Sequence, residues 1–202
     1  MQIGSLHIIA PALGTTPIHS EAEVFGQVTW LWMRTPRYRD LPIKALAEVV
    51  LPPLKAQQFI LATSLQDGQM QPVAYIAWAN FSADAERRYL NDPASLLATD
   101  WSSGDRMWVT EWFAPFGHTA EFSRLVRRVL PDTCWRTLQH RGNERGLRIL
   151  HFRGDQVSAA QNRAWWGERQ MITAASATKT ATEFAAIVTT TFTQHLPQEV
   201  HS

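Results

Sequence analysis

The segment TWLWMRTPRYRDLP, Thr29 to Pro42, sets Tyr38 between Arg37 and Arg39. A free phenol has a pKa of about 10, so only about one part in a thousand is ionised at pH 7 and it is a poor base. Flanking guanidinium groups that turn inward favour the phenolate. Such a tyrosine can relay a proton or donate a hydrogen bond. A second chemical position is Asp92, which precedes Pro93 in YLNDPAS. A carboxylate there caps the turn that follows. A capping carboxylate is also rigidly placed, which suits the orientation of a base or an ammonium. Seven histidines (7, 19, 118, 140, 151, 195 and 201) are scattered without a His-x-x-x-His pair, so no zinc site is expected. Cys134 is the single cysteine, which excludes an intrachain disulfide and a Cys-rich metal site and fits a reducing compartment. The chain has no Walker loop, no Gly-x-Gly-x-x-Gly and no Gly-x-Ser-x-Gly elbow.

The elements that must position these groups follow from periodicity. In EVFGQVTWLW, Phe25, Val28, Leu31 and Trp32 recur at helical spacing, and Thr35-Pro36 ends that helix. In DLPIKALAEVVLPP, Ile43, Leu46, Ala47 and Val50 form one apolar stripe, stopped by Pro52-Pro53. Tyr38 therefore lies in a connection between two helices, where reactive groups are commonly carried. QQFILATS and PVAYIAWAN read as strands around an Asp67-Gly68 turn. FSADAERRYL reads as a helix capped by Ser82, and NDPASLLATD as a second short one. RMWVTEWFAPFG reads as a central strand, EFSRLVRRVLP as an amphipathic helix, and CWRTLQH and LRILHFRG as strands around RGNERG. SAAQNRAWWGERQM closes the series as a helix. The order predicts an α+β fold, a mostly antiparallel sheet with packed helices. Residues 1–20 read as a loose N-terminal arm, 21–173 as the domain, and 174–202 as an Ala/Thr-rich tail with a helix near TEFAAIVTTTF.

Net charge is only +1, so bulk charge gives no argument for nucleic acid. Its distribution is uneven: 16 of the 19 basic residues are arginine, and ten of these fall between Ala120 and Gln170 against five acids. A local excess of that kind can steer an acidic partner. Nine tryptophans is an unusual number; large aromatics usually mean packing, and a surplus can also line an apolar groove. No run approaches the roughly 20 apolar residues of a membrane span. The start of the chain lacks a basic n-region, so no signal peptide is expected and the protein is placed in the cytoplasm.

FGQVTWLWMRTPRYRDLP, QQFILAT, PVAYIAWANFSADAERRYLNDPASL, DWSSGDRMWVTEWFAPFG and LRILHFRG together resemble the toxin-activating lysine acyltransferases, in the same order over residues 24–170. The most specific part is SGDRxW followed by xWxAPFG. The resemblance implies a fold similar to the Gcn5-related acetyltransferases. It also implies transfer of a fatty acyl group from acyl carrier protein, not coenzyme A, to internal lysines of an RTX-type protoxin. No bound cofactor is implied, and a homodimer is. Acyl carrier protein is strongly acidic, which gives Arg124, Arg127 and Arg128 a partner.

Acyl transfer from a thioester to lysine needs an unprotonated amine, yet a free lysine has a pKa of about 10.4. A base must take the proton, and the thioester oxyanion must be stabilised. Backbone amides of RMWVTEWFA are candidates for the oxyanion contact. Trp30, Trp32, Trp78, Trp108 and Trp112 are candidates for an acyl groove, and Arg106 of the SGDR motif for substrate binding. In the family a histidine in Ser-Pro-x-His-Arg and the aspartate of Tyr-Leu-Asn-Asp carry catalysis. The aspartate is Asp92; the histidine position holds Tyr38, and a usual serine is Ala77. Two readings follow: an active enzyme with Tyr38 in the histidine's role, or a weakened member that binds acyl carrier protein or a toxin-like partner without turnover. Asp92, or a histidine such as His118 or His151, would supply the base if Tyr38 does not.

Overall fold

The structure, a computed structural model, describes residues 2–14, 20–140 and 147–171. The expected RGNERG turn and the Ala/Thr-rich tail lie outside these residues. Seven strands form one sheet in sequence order: β1 (Gln2–Ile3), β2 (Leu6–Ile9), β3 (Phe59–Gln66), β4 (Gln69–Phe81), β5 (Arg106–Phe113), β6 (Cys134–His140) and β7 (Leu147–Arg153). Every neighbouring pair is antiparallel except β5 and β6. The helices are α1 (Glu21–Met33), α2 (Lys44–Val49), α3 (Leu51–Lys55), α4 (Ala83–Asn91), α5 (Thr119–Val129) and α6 (Ala159–Glu168). The architecture is α+β, as the element order predicts.

The arm read at the start of the chain is not loose where it is described. Leu6-His7-Ile8 alternates, and β2 pairs with β3 so that Leu6 and Ile8 enter the core. Pairing with a sheet edge supplies the backbone partners that a four-residue strand cannot supply alone. Pro52-Pro53 does not end the helical segment either. α2 stops at Val49, and the prolines sit in the first turn of α3, where their missing N–H groups have no helical partner to lose. The segment read as a short helix after Asp92 forms two 3₁₀ turns instead, Pro93–Ser95 and Ala98–Trp101.

The sheet is covered on both faces. Ile60, Ala62, Ala74, Ile76, Trp78, Met107 and Val109 pack against Phe122, Leu125, Val126 and Val129 of α5. Phe59, Leu61, Tyr75, Ala77 and Phe113 face the other way, under Val24, Val28, Leu31 and Trp32 of α1 and Leu46 and Leu54 of α2 and α3. Farther along this second face, Ala85 and Tyr89 of α4 pack on Phe81 and Trp108. After Val73, an extra residue at the β3–β4 bulge, alternation along β4 is regular, so residues 74, 76 and 78 meet α5 while 75, 77 and 79 do not. In β5 it breaks. Ala77 pairs with Glu111 but Trp78 pairs with Val109, so Thr110 is an extra residue in a β-bulge. A one-residue offset reverses faces. Val109 meets α5, whereas Glu111 and Phe113 lie on the α1 side.

Candidate active site

α1 leads into the Tyr38 connection. Ser20 caps α1 reciprocally with Glu23, so its start is fixed. Its last turn passes into reverse turns: Thr35 N donates to Trp32 O, Tyr38 N to Thr35 O, and Leu41 N to Tyr38 O. These turns fold the Tyr38 ring back over the sheet, against Trp32 (centroids 4.8 Å apart) and Phe113 (4.8 Å). The phenol then donates to Glu111 Oε2 at 2.7 Å.

Glu111 is the centre of the site, and the sequence reading did not name it. It is the one acid in MWVTEWF, and a charge inside a central strand needs a partner; that was the available signal. All three tyrosines of the chain influence or are influenced by it: Tyr38 from the loop, Tyr75 from β4 and Tyr89 from α4. Burial raises the Glu111 carboxyl to about 7, and the Tyr38 hydrogen bond and the Arg37 charge hold it from rising further. The residue is only half-buried by surface, and Oε1 accepts no protein hydrogen bond and is not sealed from solvent.

The flanking arginines do not bring Tyr38 to the phenolate. Burial first, then the Glu111 charge, push the Tyr38 phenol well above its ordinary value, and Arg37 offsets them only in part. The Arg37 guanidinium carbon lies 5.5 Å from the Tyr38 ring centroid, over its face. Arg39 turns outward to exposed Asp40, at 3.5 Å. Tyr38 is therefore a neutral donor near pH 7. Tyr75, fully buried with its hydroxyl lacking a hydrogen-bond partner, is likewise pushed up by burial and by Glu111.

Asp92 stands at the C-terminal end of α4, one turn beyond Tyr89, and its Oδ1 accepts from Ala94 N at 3.0 Å. The cap is as the sequence suggests. Asp92 and Tyr38 share no hydrogen bond; what connects their surroundings is Tyr89, on the helix that ends at Asp92. Neither alternative histidine touches Tyr38 or Glu111. His118 precedes α5 with Nδ1 buried and unpartnered, and His151 meets Trp166 edge-on at 4.4 Å.

The tryptophans divide unequally. Trp32, Trp78 and Trp108 are buried core, and Trp108 Nε1 donates to Glu86. Trp112 packs on Phe122 at 5.1 Å. Trp30 alone among the five lines an open groove of about 300 Å³, with Arg34 stacked on its ring, Phe116 opposite and the β3–β4 hairpin as a wall. Arg106 is committed to Glu86, at 2.7 Å, and to the Gln170 carbonyl. It serves a buried ion pair in this structure. Arg124, Arg127 and Arg128 are exposed on the outer face of α5; Arg127 lies 3.3 Å from Asp155.

β5 and β6 pair only at Trp108 with Arg136 and Val109 with Thr137. Beyond Val109, the edge of β5 that carries Glu111 parts from β6. Among the described residues no cluster of three or more His, Cys, Asp or Glu could hold a metal ion, and no helix is long and apolar enough to cross a membrane.

Residues 18–153 match the model of the RTX toxin acyltransferase family. The chain is 37% identical over 140 residues to the protein-lysine myristoyltransferase HlyC of Escherichia coli, covering 69% of this chain and 80% of that protein. It is 38% identical over 135 residues to the RTX-I toxin-activating lysine-acyltransferase ApxIC of Actinobacillus pleuropneumoniae (67% and 76%). It is also 38% identical over 143 residues to the protein-lysine palmitoyltransferase CyaC of Bordetella bronchiseptica (69% and 74%).

Proposed function

The chain belongs to the RTX toxin acyltransferase family, and from that premise we propose that it transfers a fatty acyl group from acyl carrier protein to internal lysines of an RTX-type protoxin in the cytoplasm. The observation that carries this reading is the Tyr38 loop docked on Glu111, at the end of the short β5–β6 pairing. It joins a polar, partly open site to a strand edge whose backbone can meet a thioester. The fold similarity to the Gcn5-related acetyltransferases belongs to the same reading.

Tyr38 and Asp92 are catalytic in this scheme. Tyr38 acts as a neutral donor in the position of the family's histidine, and Asp92 orients the lysine ammonium while capping its turn. Trp30 offers an apolar wall to the acyl chain or to the acceptor segment. The exposed arginines of α5 give the acidic carrier a docking face. Co-expression with a cognate RTX-type protein, followed by mass spectrometry of its peptides, tests the function. A lysine that gains a fatty acyl mass is the expected result. An unmodified protein recovered in a stable complex would overturn turnover and leave binding alone.

A further inference from the structure

We propose that Glu111 is the proton acceptor for the attacking lysine, taking the ammonium proton on Oε1 while Tyr38 fixes the other carboxylate oxygen. The inference rests on the acyl-transfer reading and assigns a role to a residue outside the Tyr38 and Asp92 pair.

Geometry carries it. One Glu111 oxygen is held by Tyr38 at 2.7 Å, and the other accepts no protein hydrogen bond and is not fully sealed from solvent. A carboxylate fixed by one oxygen and open at the other is arranged to receive a proton from outside. The bulge at Thr110 turns this carboxylate to the Tyr38 side of the sheet. The groups facing it are Tyr38 and Arg37 from the loop, Tyr75 from β4 and Tyr89 from α4. The three phenols all hold their protons near neutrality, and Arg37 is a cation. Glu111 is thus the one group of this cluster that exchanges a proton near pH 7. Asp92 is engaged with Ala94 N and neither His118 nor His151 touches the cluster.

A proton passes from the lysine ammonium to Oε1, which leaves a free amine and a neutral carboxyl. The amine attacks the thioester carbonyl, forming the C–N bond. As the C–S bond breaks, Glu111 returns its proton to the departing sulfur, and the second nitrogen proton is lost to water. The products are an amide, a thiol, one released proton and a carboxylate ready for the next turnover. Tyr38 is, for this step, a positioning residue whose hydrogen bond favours the ionised form of Glu111.

The test is the pH–rate profile of acyl transfer from acyl carrier protein to a protoxin by wild type, Glu111→Gln, Glu111→Asp and Tyr38→Phe. Wild type is expected to show an acidic limb centred near 7. Glu111→Gln should lose about 100-fold or more in rate, within the range for a general base, and should lose that limb. Glu111→Asp should keep a limb at a reduced rate. Tyr38→Phe should move the limb to higher pH, because the hydrogen bond that favours the carboxylate is gone. Glu111→Gln within threefold of wild type, with the limb in place, would overturn the proposal while leaving acyl transfer intact. A wild-type protein that transfers no acyl group would overturn the underlying reading and the inference together. Unchanged circular dichroism of Glu111→Gln distinguishes lost chemistry from lost fold, and in a misfolded variant Glu111→Asp and Tyr38→Phe decide by the position of the limb.

Discussion

Glu86 of α4 and Arg136 of β6 form an ion pair across 50 residues of sequence, each side chain only 2% exposed. Glu86 also accepts from Arg106 at 2.7 Å and from Trp108 Nε1 at 2.8 Å. Arg136 in turn donates to the Arg169 carbonyl and lies beside the Trp166 ring, with its guanidinium carbon 4.8 Å from the centroid. One carboxylate thus ties α4, β5, β6 and the end of α6 together. Removing one partner of a buried pair leaves an uncompensated charge, at a cost of about 3–5 kcal/mol. Glu86→Gln should lower the unfolding free energy by about that amount in urea denaturation. Loss of less than about 1 kcal/mol would show that the pair carries no such weight.

Glu111 gives a stability prediction separate from its chemistry. Its carboxyl is raised from 4.5 to about 7 by burial, so between these values the folded chain holds a proton that the unfolded chain has released. The unfolded state binds fewer protons there, and stability falls as pH rises from about 5 to 7. Glu111→Gln removes this slope. At pH 8 the variant should be more stable than wild type by roughly 1–3 kcal/mol, the scale of a shift of two pKa units discounted for partial exposure. At pH 4 the two should agree. Urea midpoints at both pH values check the sign.

Asp92 can be separated into a structural and a chemical part. Asparagine caps a turn as well as aspartate does. Asp92→Asn should therefore lower acyl transfer at nearly wild-type stability, while Asp92→Ala should also lose about 1 kcal/mol through the Ala94 amide. Equal activity in Asp92→Asn and wild type would remove Asp92 from the chemistry and leave the cap.

The arginines of α5 predict a salt-sensitive donor contact. Reversing Arg124, Arg127 and Arg128 to Glu should weaken binding of acyl carrier protein at least tenfold at low salt, and raised salt should weaken the wild-type complex, since exposed charges are screened. Titration calorimetry at two ionic strengths measures both. Affinity that ignores salt and charge reversal would exclude this face.

Two glycines should respond oppositely to a methyl group. Gly26 is exposed within α1, and a Cβ there meets nothing within 4 Å. Gly26→Ala should raise stability by about 0.5–1 kcal/mol through helix propensity. At Gly154 a Cβ would stand 2.0 Å from the Leu130 carbonyl oxygen and 2.2 Å from that of Pro131. Gly154→Ala must displace backbone and should lower the melting temperature by several degrees. Thermal denaturation of the two variants side by side is the check.

Most elements were legible in the chain because their signals are local. Ser82 before an acidic first turn marks the start of α4, and Asp67-Gly68 marks the β3–β4 hairpin, with both residues at positive φ. The Tyr38 connection and the Asp92 cap were readable for the same reason. What escaped depends on partners far away in sequence. β2 is a strand because β3 is beside it. Arg106 pairs with Glu86, twenty positions earlier, a contact that local spacing does not announce. Most of the tryptophans went to the core, where large apolar area is most favourably placed. Glu111 escaped because period-two counting from Met107 and Val109 assigns it to the α5 face.

The bulge at Thr110 has a consequence for the length of β5. The strand holds one residue more than its pairing with β4 uses, so it carries slack. Deleting Thr110 would restore a regular ladder and still leave Glu111 opposite Ala77, below Tyr38. Deleting Trp112 instead would shift Phe113 onto the wrong side, with no spare residue after Glu111 to absorb the loss. The strand is therefore tolerant of shortening on one side of its carboxylate and intolerant on the other. A library of single-residue deletions across residues 106–113 should show survival concentrated at Val109 and Thr110, where the spare position can be taken up.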